Sequence, residues 1–121
     1  MEGRVASLSD GIWTVEGPMY TGVEVSTGPT AVLDIGRIRI VVVSFHHEPW
    51  DSGIFSNNGI NPTECRYLLL KSRIHYRAGF QPIARATICC DGHGVTTSRN
   101  DQLDYQAIRR PIYPLDDNAT M

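Results

Sequence analysis

The amino-acid sequence predicts an α/β domain on a mixed sheet, with a β-rich N-terminal part followed by strand-helix-strand units. Three observations predict it. Short apolar runs separated by Gly, Pro, Asp and Ser occupy the first third of the chain, and the apolar run Val41-Val42-Val43 follows them. Beyond that point, helix-start signals at Asn61-Pro62 and Ser72 alternate with further β-type runs.

Taken in order, residues 4–8, 12–15, 20–25 and 30–35 read as strands. Turn-forming Ser9-Asp10-Gly11, Glu16-Gly17-Pro18 and Thr27-Gly28-Pro29 divide them, so hairpin connections are expected. Arg37-Ile38-Arg39-Ile40 alternates like a half-exposed strand, and Val41-Val42-Val43 continues it in the manner of a central strand covered on both faces. Asn61 caps a short helix with Pro62 at its first position, and residues 67–70 follow as a buried strand. Ser72 caps a helix carrying Ile74, Ala78 and Phe80, which Gly79 and Pro82 keep short. Residues 86–90 supply another β-type run, and this strand, helix, strand order favours parallel pairing through a right-handed crossover. Gly92-His93-Gly94 reads as a turn, residues 105–110 as a helical turn, and Pro111-Ile112-Tyr113-Pro114 as extended chain. Residues 1–121 are expected to form a single domain, with 117–121 a frayed polar tail.

A net charge of −2 gives the chain no general attraction for nucleic-acid backbones or anionic lipid. No stretch approaches the roughly 20 apolar residues of a membrane helix, and Met1-Glu2-Gly3-Arg4 leads into no apolar signal region. Cys65 and the adjacent Cys89-Cys90 are odd in number and lack a C-x-x-C spacing, which suits a reducing cytoplasm better than a disulfide framework or a zinc knuckle.

His46-His47-Glu48 invites a metal reading. Successive side chains of an extended segment point to opposite faces, however, and the H-E-x-x-H spacing of metalloprotease helices is missing, so a polar loop after a strand is the simpler assignment. A more suggestive group is Lys71, the only lysine, with Ser72 and His75. It falls between a strand end and a helix start, where open α/β sheets bind ligands, and could hold a carboxylate or carbonyl oxygen. The alternative is that Ser72 only caps, Lys71 is solvated and His75 packs on the helix flank. Asp91-Gly92-His93-Gly94 lacks any nucleotide-binding pattern, and nothing near Cys89-Cys90 would activate a thiolate. The stiff segment from Arg109 to Asp116 combines two planar cations, an aromatic ring and two prolines, and is suited to docking within its own protein.

Several blocks then fall into a familiar order: Gly17-Pro18-Met19, Gly28-Pro29-Thr30-Ala31-Val32-Leu33, Asp51 with Phe55, Gly59-Ile60-Asn61-Pro62, Lys71-Ser72 with His75-Tyr76-Arg77-Ala78-Gly79-Phe80, Pro82-Ile83-Ala84, and Arg109-Arg110-Pro111-Ile112-Tyr113-Pro114-Leu115-Asp116. Over about residues 10–116 this series resembles the C-terminal domain of the MlrC (microcystinase C) metallopeptidase family. The sequence departs from the family pattern at His93-Gly94, where a Pro-Gly turn is common, and at Tyr76, where Phe is common.

The resemblance implies a zinc-dependent metallopeptidase or amidohydrolase acting on peptide or amide bonds, in a family whose founding activity opens linear microcystin peptides. It places the zinc ligands and catalytic groups in a preceding N-terminal domain, so no metal ligand, catalytic residue or cofactor is expected in this chain. The implied partner is that metal-binding domain or a separate chain carrying it, this chain being an excised domain, a truncated reading frame or one component of a split protein. Its role would be to complete the substrate cleft, with Lys71, Ser72, His75 and Arg77 as substrate-side or interdomain residues. The rival expectations are a stand-alone binding or structural module that self-associates as a homo-oligomer, and a small metal-binding protein using His46, His47 or His93.

Overall fold

Turn chemistry and apolar alternation in the first third produce five short strands, β1 (Arg4–Ser9), β2 (Ile12–Thr14), β3 (Glu24–Ser26), β4 (Thr30–Asp34) and β5 (Arg39–Val42). The computed structural model describes residues 2–90, 97 and 99–119. By its contacts the chain divides into two units, residues 1–87 and 88–121. In the first unit β1, β4 and β5 form an antiparallel sheet in the order β1-β4-β5, while β2 and β3 pair as a separate antiparallel hairpin. The step from β1 into β2 requires glycine: Gly11 has φ +72°, and a Cβ there would stand 2.1 Å from the Gly28 carbonyl oxygen.

Strand register assigns the two faces of the larger sheet. Val5 pairs with Leu33 and Leu33 with Ile40, while Leu8 pairs with Ala31 and Ala31 with Val42, so these six apolar side chains share one face. The irregularity between Val5 and Ser7 keeps both ends of β1 in phase with it. The opposite face carries Ser7, Ser9, Thr30 and Val32, and it is covered: Val32 is 1% exposed, and the Ser9 hydroxyl donates to Asn58 Oδ1 at 2.7 Å.

The core lies between the β2–β3 hairpin and two single-turn helices, α1 (Gly53–Ser56) and α2 (Tyr76–Phe80). Trp13, Val15, Val25, Ile54 and Phe80 are its buried members, with Trp50, Phe55, Leu68 and Leu70 packed around them. Asp51 is buried at the centre. Its carboxylate accepts from the Trp13 indole N–H (3.2 Å), the Gly17 amide (2.9 Å) and the Gly53 amide (2.8 Å), joining the hairpin to the start of α1. Gly79 lets α2 close on the same place, since a Cβ there would meet the Trp50 carbonyl oxygen at 2.5 Å and Asp51 Cα at 2.9 Å.

The strand-rich α/β class is observed, including β1, β2, β4 and β5 near their expected places and the short helix at Pro62–Glu64, capped by the Asn61 side chain. The expected 20–25 strand shrinks to β3, because residues from Tyr20, at φ 61°, through Gly22, at φ 83°, turn the hairpin. The sheets are antiparallel rather than mixed, and no strand-helix-strand unit forms among the described residues. Residues 67–70 enter no ladder. They alternate in exposure, with Leu68 and Leu70 on the core and Leu69 93% exposed. Residues 86–90 are exposed throughout. The connecting residues hold only the five-residue α2 before Pro82 turns the chain into a 3-10 helix, which leaves little helical surface to pack the two runs into one sheet. β5 is likewise an edge strand rather than a central one, with Ile40 and Val42 exposed.

In the second unit, residues 105–110 form no helical turn, as Pro111 disfavours helical backbone at Arg110. Residues 111–114 turn rather than extend, because the Asp116 carboxylate gathers the Ile112 amide (2.8 Å) and the Arg110 guanidinium. The Arg110 hydrogen bond holds the Asp116 carboxyl below its ordinary value, and the Ile112 amide adds to the effect. The expected Gly92-His93-Gly94 turn and the last two tail residues lie outside the described residues. No helix among those described is long and apolar enough to cross a membrane.

Replacing Asp51 by Ala strands a buried indole N–H and two backbone amides, and should lower unfolding free energy by about 3 kcal/mol or more in urea denaturation. A loss under about 0.5 kcal/mol would mean that the carboxylate is not what ties hairpin to helix.

Candidate functional site

The segment after β5 is held from its first residues, since the Ser44 and Phe45 amides both donate to the Thr27 carbonyl oxygen (3.1 and 2.9 Å). From there its histidines take opposite sides. His46 is exposed, while His47 turns into an aromatic cluster, with ring centroids 5.4 Å from Trp13 and 4.2 Å from Trp50. Burial lowers the pKa of His47, repulsion from His46 adds to the shift, and Asp51 and Glu48 oppose it, so this imidazole is held neutral near pH 7. Its Nε2 and the Trp50 Nε1 are buried without a hydrogen-bond partner among the described residues.

Glu48 faces the chain preceding α2. The Ser72 hydroxyl donates to Glu48 Oε1 at 2.5 Å, and His75 Nδ1 lies 2.7 Å from Glu48 Oε2. The Ser72 oxygen also accepts from the Tyr76 amide at 3.1 Å, so Ser72 serves the first amide of α2 and the carboxylate together, although the helix starts later than expected, with His75 at its N-cap and Ile74 outside it. The Ser72 hydrogen bond is the main force lowering the Glu48 pKa, partial burial works against it, and His75 contributes through its own hydrogen bond and attraction. A carboxylate at Nδ1 fixes the imidazole with that nitrogen as donor and leaves Nε2 as an acceptor. Nε2 makes no hydrogen bond among the described residues.

This network forms one end of an open groove of about 530 Å³. Tyr20, Val23, Val25 and Trp50 give it an apolar and aromatic wall, and Glu24, Glu48 and His75 supply its polar groups. Chemically the arrangement suits recognition better than nucleophilic attack. The hydroxyl of Ser72 points at a carboxylate and not at an imidazole, and a carboxylate of lowered pKa is a poor general base. His75 Nε2 can accept from a polar group in the groove, beside apolar and aromatic side chains.

Of the four residues expected from sequence, the fold therefore brings together Ser72 and His75. Lys71 and Arg77 are exposed, with no side-chain hydrogen bond or ion pair among the described residues, and do not join the cluster. Glu48 is the member sequence reading missed, having been assigned to a loop. A signal existed in the need of a helix-start Ser and His for an acceptor, but the 24 residues separating Glu48 from Ser72 conceal the pairing. His46 and His47 diverge, His93 is not among the described residues, and no three His, Cys, Asp or Glu side chains among those described gather as a metal site.

The family described as MlrC C-terminus matches residues 1–107. No curated protein and no solved structure matches the chain.

Because the Glu48 carboxyl lies below its ordinary value of 4.5 when folded, its hydrogen bonds stabilise the fold above pH 4.5, and that contribution is lost as pH falls through the folded value. A carbon-13 titration of the carboxyl should accordingly show a midpoint under 4.5 that moves upward in Ser72→Ala. An unmoved midpoint would remove Ser72 as the cause.

Proposed function

We propose, since the chain belongs to the MlrC C-terminal family, that it completes the substrate cleft of an MlrC-like zinc metallopeptidase or amidohydrolase, with the metal site supplied by a partner domain or chain. The observation that carries this reading is the Ser72–Glu48–His75 network at the end of an apolar-walled groove. A peptide offers both features such a surface recognises: amide N–H groups that donate to His75 Nε2, and an apolar side chain for the Tyr20 and Trp50 wall. Glu48 and Ser72 act as positioning residues, fixing the imidazole so that its Nε2 meets substrate in one orientation.

Zinc, when supplied, would activate water and polarise the scissile carbonyl. The described residues of this chain do not provide the roughly three ligands such a centre needs, so the chain's own part is binding and orientation. Lys71 and Arg77, solvent-facing and without an ion pair among the described residues, are suited to reach the partner domain or the substrate. A reducing cytoplasm suits the three free thiols of Cys65, Cys89 and Cys90. A second reading, a non-catalytic module that associates through its surface, is favoured by the exposed apolar face of the β1-β4-β5 sheet.

The test is His75→Ala in the chain assembled with a zinc-bearing MlrC-type domain, assayed on linear peptides, microcystin-derived ones first. We expect kcat/KM to fall about tenfold or more with Tm essentially unchanged. Parallel loss of stability and turnover would instead make His75 a packing residue.

A further inference from the structure

The groove beside His75 runs along the free edge of a strand. Three consecutive residues of the β3 arm, Val23, Glu24 and Val25, line it, and no residue of β2 does. A groove over a sheet face would meet alternate residues and their cross-strand partners, whereas one along an edge meets successive residues. The hairpin has only two strands, so β3 keeps an outer edge.

The hydrogen bonds of the ladder decide which groups point there. The Val15 amide donates to the Val23 carbonyl oxygen (2.9 Å) and the Thr27 amide to the Gly11 carbonyl oxygen (2.9 Å), at the two ends of a register that pairs Thr14 with Glu24 and Trp13 with Val25. Alternation then turns the backbone groups of Val25 toward β2 and those of Glu24 and Ser26 outward. Both of these residues are exposed, and no described residue meets their outward N–H and C=O groups.

We propose that the groove takes its peptide as a third strand, antiparallel to β3, with an apolar-basic-apolar run centred opposite Glu24. This deepens the substrate-cleft reading and rests on it. Free N–H and C=O groups on a strand edge are what an extended backbone completes, and in antiparallel pairing one peptide residue exchanges both hydrogen bonds with Glu24. The neighbours of that residue point to the face of Val23 and Val25, where Trp50 packs against the core and Tyr20 stands edge to face with it. Charge selects the central residue. Glu24 and Glu48 line the groove with no lysine or arginine, and the Glu24 side chain has no ion pair among the described residues. A basic side chain directly opposite Glu24 is attracted and an acidic one repelled. The flanking amides point away from β3, and they are the kind of donor that His75 Nε2 accepts.

Nitrogen-15 NMR of the full chain, titrated with a capped pentapeptide of threonine, leucine, lysine, leucine and threonine, tests the pairing. The Glu24 amide should move downfield and exchange about tenfold more slowly at saturation, with the Tyr20 and Trp50 ring signals shifting alongside. Replacing the central lysine by glutamate, or its amide by an ester that cannot donate, should each weaken binding about fivefold to tenfold. Glu24→Lys should reverse the preference for lysine over glutamate. Ring signals that shift while the Glu24 amide stays unmoved and the ester binds as the amide does would put the peptide in the groove without strand pairing, which overturns the proposal and leaves the cleft reading standing. Equal affinity of wild type for the lysine and glutamate peptides overturns it as well. So do groove signals unmoved by every peptide up to about 5 mM, some fivefold above the roughly 1 mM Kd expected of so few contacts, and the His75→Ala assay of the assembled enzyme then decides the cleft reading separately.

Discussion

A buried carboxylate with three donors fixes the geometry of the first unit. Asp51 binds the Trp13 indole and the Gly17 and Gly53 amides, so one side chain sets the distance between the β2–β3 hairpin and α1. Its neighbours along the chain are placed with it. Trp50 stacks toward His47 and Tyr20, and α2 closes to backbone contact only because residue 79 lacks a side chain. Glu48, three residues before Asp51, thereby comes opposite Ser72 and His75, which lie just before α2.

That ordering sets a hydrogen-bonded cluster beside an open groove. Glu48 is held by two side chains, and Ser72 also answers the first amide of α2, so the carboxylate and imidazole are fixed before any ligand arrives. Trp50 and Tyr20, 5.8 Å apart edge to face, form the wall of a groove with space left in it. Hydrogen-bonded polar atoms beside an unfilled apolar surface are the features of a binding surface.

The antiparallel strands were legible because their signals are local, alternating apolar residues set off by turn residues, but the turns at Gly11 and Gly28 carry the chain from one sheet to the other and close no hairpin, so the pairing of β1 with β4 was not legible. Asn61-Pro62 worked for the same reason, with cap and helix adjacent. The second half misled because its runs, 67–70 and 86–90, have strand composition but no strand partner among the described residues, and composition cannot say whether a partner exists. Residues 67–70 retain the alternation of a strand, two leucines inward and Tyr67 and Leu69 outward, without entering a sheet. Ser72 and His75 could be chosen from their place before a helix. Glu48 could not, because its role depends on tertiary contacts set by Asp51 and Gly79.

The most direct test is a structure of this chain assembled with a zinc-bearing MlrC-type domain around a non-hydrolysable peptide. The peptide should lie in the groove, with an amide N–H at hydrogen-bond distance from His75 Nε2 and an apolar side chain against Trp50 and Tyr20. A peptide bound wholly by the other domain, with the groove empty and remote from the metal, would contradict the assignment of this surface to the substrate cleft.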